Sequence, residues 1–309
     1  MVQGEREVFT NLAIRMIITC LLGDPVSQSV SPSMYNYFGE KAGFDYYSHV
    51  KVRVPKEDRK NLPRALEAVK TLGFSGINIT IPYKLDVMKY LDVLDDKAKA
   101  IGAVNAIVNA GGRLTGFNTD GRGALYAMEN RLRRITSKDR VAIFGAGGAA
   151  RAIIAAISER TRRIIVLNRE SDFEMAETLQ KQLKKLTGSL EILPISNANL
   201  IGSVAEAQFV VNATSVGMQS KESIISKSQF AEIHRKASLR QKYFFDAVFN
   251  PYITTFLRLA HSYGAKICPG LYMTIYQGAA SFELWTGKKV SKKDIEIAHR
   301  IMKKKMGLK

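Results

Sequence analysis

The sequence predicts a two-domain α/β protein whose second half is a doubly wound parallel sheet. Short apolar, β-branched runs alternate with helix-length segments along the whole chain, the pattern of sheets covered by helices. A polar break, RRITSKD at 133–139, divides that run. Directly after it, RVAIFGAGGAARAIIAAI at 140–157 leads a strand into a glycine turn and an alanine-rich helix. A length of 309 residues suits about two domains, each able to bury its own core.

Taken in order, MIITCLLG (16–23) is the first strand. SPSMYNYFGEKAG (31–43) is a helix with Ser31 as N-cap, Pro32 at its first position and Gly43 at its end. YYSHVKV (46–52) is the second strand, and LPRALEAVKTLG (62–73) is a helix closed by Gly73. GINITI (76–81) is the third strand, and KLDVMKYLDVL (84–94) reads as helical. AVNAIVNAGGRLTGFN (103–118) is a hairpin turning at Gly111 and Gly112, with a helix over 121–133 after it. In the second half RIIVLNRE (163–170) is a strand, and Ser171 with Glu174 forms a capping box for the helix beyond. LEILPI (190–195), FVVNATS (209–215), YFFDAVFN (243–250) and AKICP (265–269) supply further strands. LYMTIYQGAASFELWTG (271–287) is a helix stopped by Gly287. The domains on this reading are 1–120 and 121–271, with the helices of 272–309 returning to the first.

The composition, 46% hydrophobic and 24% charged, is ordinary for a globular protein. No apolar run approaches the roughly 18 residues of a membrane span. The N-terminus, with Glu5, Arg6, Glu7 and Arg15, does not read as a signal peptide. Cys20 and Cys268 give neither a disulfide framework nor metal spacing, and point to buried thiols in a reducing cytoplasm. A net charge of +18 raises the question of a nucleic-acid surface. The distribution argues against it. The dense stretch of Lys288, Lys289, Lys292, Lys293, Lys303, Lys304 and Lys305 alternates with Ile295, Ile297, Ile301 and Met302, as the wet face of a terminal helix does. A basic chain also attracts an anionic substrate.

GAGGAA gives G-x-G-x-x-A at Gly145, Gly147 and Ala150, between a strand and a helix. That context makes it a dinucleotide fingerprint of the Rossmann type. Gly145 allows the tight turn, and Gly147 lets a pyrophosphate approach the backbone at a helix N-terminus. At the end of the next strand, an acidic residue suits the ribose 2′-hydroxyl of NAD and an arginine the 2′-phosphate of NADP. The chain offers both, as Arg169 and Glu170. Ser29 and Ser31 stand beside a helix N-terminus and suit a carboxylate, although Ser31 serves equally as a cap. Asn78 and Thr80 share one face of the third strand, Pro82 stops it, and Lys84 follows. Asn105 and Asp120 lie at other element ends, Asp120 also fitting the N-cap of its helix, and Met273 and Gln277 share a helix face. There is no Ser/His/Asp signature and no metal cluster. Hydride transfer needs neither: it needs a nicotinamide and one proton donor, and a lysine with an aspartate suffices.

The ordered set GDPVSQSVSP, NITIPYK, GAVNA, NTDG, GAGGAAR, NR, NATSVGM, FNP and GLYMTIYQGA resembles the shikimate dehydrogenase family across nearly the whole chain. That family reduces 3-dehydroshikimate to shikimate with NADPH. The resemblance implies Lys84 and Asp120 as the catalytic pair, and Ser29, Ser31, Asn78, Thr80, Asn105, Gln277 and Phe249 around the substrate. It implies Gly145, Ala146, Gly147, Gly148, Ala149, Asn168, Arg169, Thr214, Gly270 and Met273 around NADP, and no metal. Three departures stand out. Phe249 replaces a usual tyrosine, Tyr272 a usual glycine beside the nicotinamide site, and Glu170 a frequent threonine. Tyr272 is expected either to pack over the nicotinamide or to supply the hydroxyl that Phe249 lacks. Glu170 admits NAD as well. The alternatives are a quinate/shikimate dehydrogenase and a non-catalytic Rossmann binding protein; a homodimer is left open.

Overall fold

The computed structural model describes residues 16–58, 60–187, 190–218 and 220–308. The charged N-terminal stretch of residues 1–15 lies outside them. The first sheet is built from β1 (Met16–Gly23), β2 (Tyr46–Arg53), β3 (Gly76–Ile79), β4 (Val93–Leu94), β5 (Ala106–Ala110) and β6 (Arg113–Phe117). Its helices are α1 (Ser31–Lys41), α2 (Asn61–Thr71) and α3 (Asp96–Ile101). The strand order is β2-β1-β3-β5-β6-β4, with β1 parallel to β2 and β3, and β5 antiparallel to both β3 and β6. Gly111 and Gly112, with φ of 61° and 87°, make the hairpin turn that only glycine adopts cheaply.

Helix α4 (Asp120–Arg131) leads into the second sheet: β7 (Val141–Phe144), β8 (Ile164–Asn168), β9 (Glu191–Pro194), β10 (Phe209–Asn212), β11 (Tyr243–Asp246) and β12 (Lys266–Cys268). Every recorded pairing in it is parallel, in the order β12-β11-β10-β7-β8-β9. The strands β7, β8 and β10 are buried along their whole length, because helices cover both faces. Val141, Ile143, Val166 and Val211 face one core with α5 (Gly148–Ile157) and α6 (Phe173–Thr187). Ala142, Phe144, Ile165 and Val210 face another with α7 (Asn197–Glu206), α8 (Lys227–Lys236) and α9 (Thr255–Ser262). The order reverses between β7 and β10, which opens a crevice at their carboxyl ends. The last helices, α10 (Leu271–Thr286) and α11 (Lys292–Lys305), pack on α1 through Met34, Tyr35, Phe38, Leu271, Phe282 and Met302. No helix among the described residues is long and apolar enough to cross a membrane.

Several elements differ from the sequence reading. Residues 84–94 are not a helix: a short 3₁₀ turn at Asp86–Tyr90 gives way to β4, which pairs with β6. Asp92 N donates to Leu114 O at 3.0 Å and Leu114 N to the Asp92 carboxylate at 2.7 Å, so non-local pairing overrides local helix propensity. Strand β3 ends at Ile79, leaving Thr80 just beyond the ladder. Ser31 is not the cap of α1; Val30 takes that position, and Ser31 N donates to Ser29 Oγ at 3.3 Å. Asp120 opens α4 as its first residue, with Thr119 at the cap position. The Ser171–Glu174 capping box is absent, because a 3₁₀ turn at Glu170–Asp172 precedes α6 and Asn168 Nδ2 donates to Asp172 O at 2.6 Å. A capping box does form at Ser226 and Gln229, ahead of α8. Helices α3, α7, α8 and α9, which the sequence reading leaves unnamed, each start on a capping Asp, Ser or Thr.

Candidate active site

Both halves of the site sit where strands end and helices begin. In the second sheet, Gly145 has a φ of 103°, a left-handed conformation that turns the chain sharply off β7. Its N–H donates to Leu167 O at 2.9 Å, tying the turn to β8. A Cβ on Gly147 or Gly148 would meet no atom within 4 Å. The first turn of α5 therefore faces open space, and the N–H groups there have no helical partner. Ala146 is buried and Ala149 half-buried on the same turn. Thr214 closes the turn from the β10 side. Its N–H and hydroxyl both donate to Asn212 Oδ1, at 3.1 and 2.7 Å, and its Cγ2 would stand 2.9 Å from a Cβ on Gly145. The backbone thus fits the diphosphate of a dinucleotide.

At the end of β8, Asn168 is buried and holds the following turn. Arg169 projects outward, its side chain 75% exposed, and grips the Asp172 carboxylate through Nη2 at 2.6 Å and Nε at 3.0 Å. Glu170 is exposed. Asp172, rather than Glu170, is the carboxylate engaged with Arg169, a contact the i,i+3 spacing could have disclosed. Gly270 and Met273 are buried. A Cβ on Gly270 would lie within 2.7 Å of the carbonyl oxygens of Asp246, Ala247 and Val248, so packing at the end of β11 requires glycine there. Met273 turns most of its side chain into the core on the second sheet.

The other half is a chain of bonded side chains. Lys84 Nζ donates to Asp120 Oδ2 at 2.5 Å, with the lysine 29% and the aspartate 9% exposed at their side chains. Lys84 is held by its own carbonyl, which accepts from Val104 N at 2.8 Å. Asp120 opens α4, where the helix dipole favours a carboxylate. Asn105 Nδ2 reaches Asp120 Oδ1 at 2.8 Å, Thr119 Oγ1 at 2.9 Å and Gln277 Oε1 at 3.2 Å. Its Oδ1 accepts from Thr119 N at 2.7 Å. Asn105 is thus committed to organising its neighbours. Asn78 Nδ2 donates to Asn105 O at 3.2 Å and to Ser281 Oγ at 3.3 Å. Helix α10 approaches α4 closely because Gly123 has no side chain: a Cβ there would lie 2.6 Å from Gln277 Cβ. That contact carries Gln277 and Ser281 into a cluster begun by residues far away in sequence. Nothing local in the sequence marks Thr119 or Ser281 for this cluster, since a serine inside an apolar helix gives no signal of its own.

Thr80 is half-buried at the end of β3, beside Gly23 at the end of β1. Ser29 and Ser31 stand at the start of α1, with their hydroxyls 3.0 Å apart. The adjacent, parallel β1 and β3 bring these groups to one edge of the sheet. Phe249 packs against the apolar cluster of α1, α10 and α11, and its ring offers no hydrogen bond. Tyr272 packs inside the protein. Its ring is 4% exposed and stacks on His299 at 4.2 Å and 8°, with the Arg131 guanidinium 4.3 Å away. The ring is thereby held between Arg131 of α4 and His299 of α11. No group of three or more His, Cys, Asp or Glu among the described residues is placed to hold a metal ion.

Three family models match in succession: the shikimate dehydrogenase substrate binding domain over residues 21–107, shikimate / quinate 5-dehydrogenase over 128–253, and the shikimate 5′-dehydrogenase C-terminal domain over 270–296. The NADP⁺ shikimate dehydrogenase of Pyrococcus abyssi is 40% identical over 287 residues, covering 93% of this chain and 97% of that protein. The crystal structure of the Thermus thermophilus shikimate 5-dehydrogenase with NADP(H) and shikimate superposes with a TM-score of 0.79 at 33% identity, over 93% of this chain and 100% of that one. The quinate dehydrogenase of Corynebacterium glutamicum with NAD superposes with a TM-score of 0.80 at 27% identity, over 93% and 98% of the two chains. With the glycine turn, the Lys84–Asp120 pair and these matches along nearly its entire length, the chain belongs to the shikimate dehydrogenase family.

Proposed function

We propose that this chain catalyses the reversible NADPH-dependent reduction of 3-dehydroshikimate to shikimate, a step towards the aromatic amino acids. The observation that carries the reading is the Lys84–Asp120 contact of 2.5 Å, with Asn105 fixing the second carboxylate oxygen at 2.8 Å. We assign substrate binding to residues 1–120 with the returning helices of 272–309, and cofactor binding to residues 121–271.

NADPH, when bound, supplies the hydride. Gly145, Ala146, Gly147, Gly148 and Ala149 hold its diphosphate, and Thr214 closes the turn. Asn168 and Gly270 shape the surrounding loops. Arg169 would hold the 2′-phosphate once its guanidinium leaves Asp172. Lys84 donates its ammonium proton to the ketone oxygen as that oxygen gains charge, and in reverse a neutral Lys84 accepts the hydroxyl proton. Asp120 holds the lysine and accepts from the same hydroxyl. Ser29 and Ser31 donate to the substrate carboxylate. Asn78, Thr80 and Gln277 contact the ring hydroxyls, and Phe249 and Met273 close the cleft with apolar surface. The buried free thiols support a cytoplasmic setting, and a homodimer is compatible with the reading.

A second reading, quinate oxidation with NAD, is favoured by the carboxylates of Glu170 and Asp172 beside Arg169. One activity panel decides: shikimate and quinate, each with NADP and NAD. The expected order puts shikimate with NADP highest in kcat/KM, with measurable NAD activity. Replacing Glu170 by Thr and Asp172 by Asn should raise the NADP/NAD ratio of kcat/KM by about tenfold, since removing a like charge near a phosphate is worth roughly 1.4 kcal/mol. Quinate turnover above shikimate turnover would overturn the first reading.

A further inference from the structure

Ser281 is fully buried in α10, one turn beyond Gln277. Three polar groups converge on its hydroxyl. It donates to Gln277 O at 3.0 Å. Asn78 Nδ2 lies 3.3 Å away and Thr119 Oγ1 3.1 Å away. A serine hydroxyl has one proton. With that proton on Gln277 O, Ser281 can only accept from Asn78 and Thr119. The amide of Asn78 is then fixed in one sense. One Nδ2 proton goes to Ser281 Oγ and the other to Asn105 O at 3.2 Å. The flipped amide would set Oδ1 against the Asn105 carbonyl oxygen, acceptor against acceptor. Both donors of Asn78 are spent inside the protein, so its carbonyl oxygen can only accept; the buried Tyr35 hydroxyl stands beside both Asn78 and Ser281.

We propose that Ser281 is a positioning residue that sets substrate specificity: it holds the Asn78 amide so that this side chain presents an acceptor alone. The proposal rests on the function assigned above and deepens it. An acceptor at Asn78 selects a hydroxyl and rejects a carboxylate, which leaves the substrate carboxylate to the donors Ser29 and Ser31. Thr119 is fixed by the same hydroxyl, so its oxygen remains an acceptor for Asn105 Nδ2 at 2.9 Å, next to the Asp120 contact.

The test is steady-state kinetics of Ser281→Ala, Asn78→Ala and the double variant, with shikimate and NADP. In Ser281→Ala the amide of Asn78 is released, and the KM for shikimate should rise about five- to tenfold, the worth of one neutral hydrogen bond. kcat should change less than about twofold, and the KM for NADP should not move. In the Asn78→Ala background the Ser281 change should add almost nothing, because the residues act as one unit. Ser281→Cys, which keeps a weak acceptor at nearly the same volume, should give an intermediate KM and carries the test if the alanine variant does not fold. An unchanged KM for shikimate, effects that simply add in the double variant, or a matching rise in the KM for NADP overturns the role of Ser281. Failure of the wild type to oxidise shikimate at all overturns the functional reading, and the proposal with it.

Discussion

The two sides of the cleft are made of different material. The cofactor side is main chain: a glycine turn at 145–148 whose usefulness lies in the open space where side chains would be. The substrate side is side chain: Lys84, Asp120, Asn105, Thr119, Ser281 and Asn78 are bonded one to the next, and Ser281 ties in the Gln277 carbonyl. A main-chain site tolerates changes in its neighbours and fails when a Cβ enters it. A side-chain network fails member by member, because each deletion leaves a partner unsatisfied. The two sides should therefore respond to mutation in separable ways.

Lys84 offers the sharpest separation. Lys84→Met removes the proton donor, and kcat should fall about 10²- to 10⁴-fold. NADPH titrated by fluorescence should bind as it does to the wild type, because the glycine turn lies on the other sheet. A near-normal kcat with a raised KM for shikimate would make Lys84 a substrate anchor and place the chemistry elsewhere.

The glycines separate space kept for a ligand from space filled by the protein. Gly270 has carbonyl oxygens crowded within 2.7 Å of a would-be Cβ, so Gly270→Ala should cost about 1–3 kcal/mol of stability as overpacking does. Gly147 has φ −74° and ψ −173°, which alanine adopts freely, and its Cβ would meet nothing. Gly147→Ala should leave the melting temperature unchanged and weaken NADPH binding about tenfold, equivalent to roughly 1.4 kcal/mol. A melting shift in Gly147→Ala with normal NADPH binding would show that the turn serves packing.

The same contrast explains what could be read from the sequence. The glycine turn is legible because its requirements are local: a strand, a positive φ at Gly145, a helix start. The alternation of strands and helices gave both sheets for the same reason. Lys84 and Asp120 are 36 positions apart, and only family resemblance joins them before the fold does. Ser281 enters the site through the close contact of α4 with α10 at Gly123, which no local pattern records. Residues 84–94 read as a helix because their attachment to β6 is non-local. Tyr272 sits in a cleft-lining motif, yet its ring follows the burial available between Arg131 and His299. A motif fixes a backbone position without fixing where the side chain goes.

The two sides also differ in how they respond to acid. His49 lies beneath α1 on the substrate side, 2% exposed, with Nδ1 2.8 Å from Thr19 Oγ1 and Nε2 unpartnered. Burial pushes its imidazole from the ordinary 6.5 down to about 3. Asp246 lies at the end of β11 on the cofactor side, where burial pushes its carboxyl from 3.8 up to about 6, despite bonds from Thr254, Val248 and Asn212. The signs are opposite. Unfolded His49 takes a proton below about pH 6.5 that the folded form refuses, so its contribution is lost as pH falls towards 3. Folded Asp246 keeps a proton that the unfolded chain releases above 3.8, so its contribution is lost as pH rises towards 6. Each slope reaches at most about 1.4 kcal/mol per pH unit, and between about pH 4 and 6 they oppose each other. His299, pushed down to about 4 by burial and then by Lys303 and Arg131, acts with His49. Denaturant unfolding across pH 4–6 should therefore show wild-type stability rising with pH by the difference, two imidazoles against one carboxyl. His49→Phe should flatten that rise and Asp246→Asn should steepen it, each by up to about 1.4 kcal/mol per pH unit. A slope unchanged in His49→Phe would mean that the imidazole carries its proton in the folded protein, and that the substrate side has no acid liability of its own.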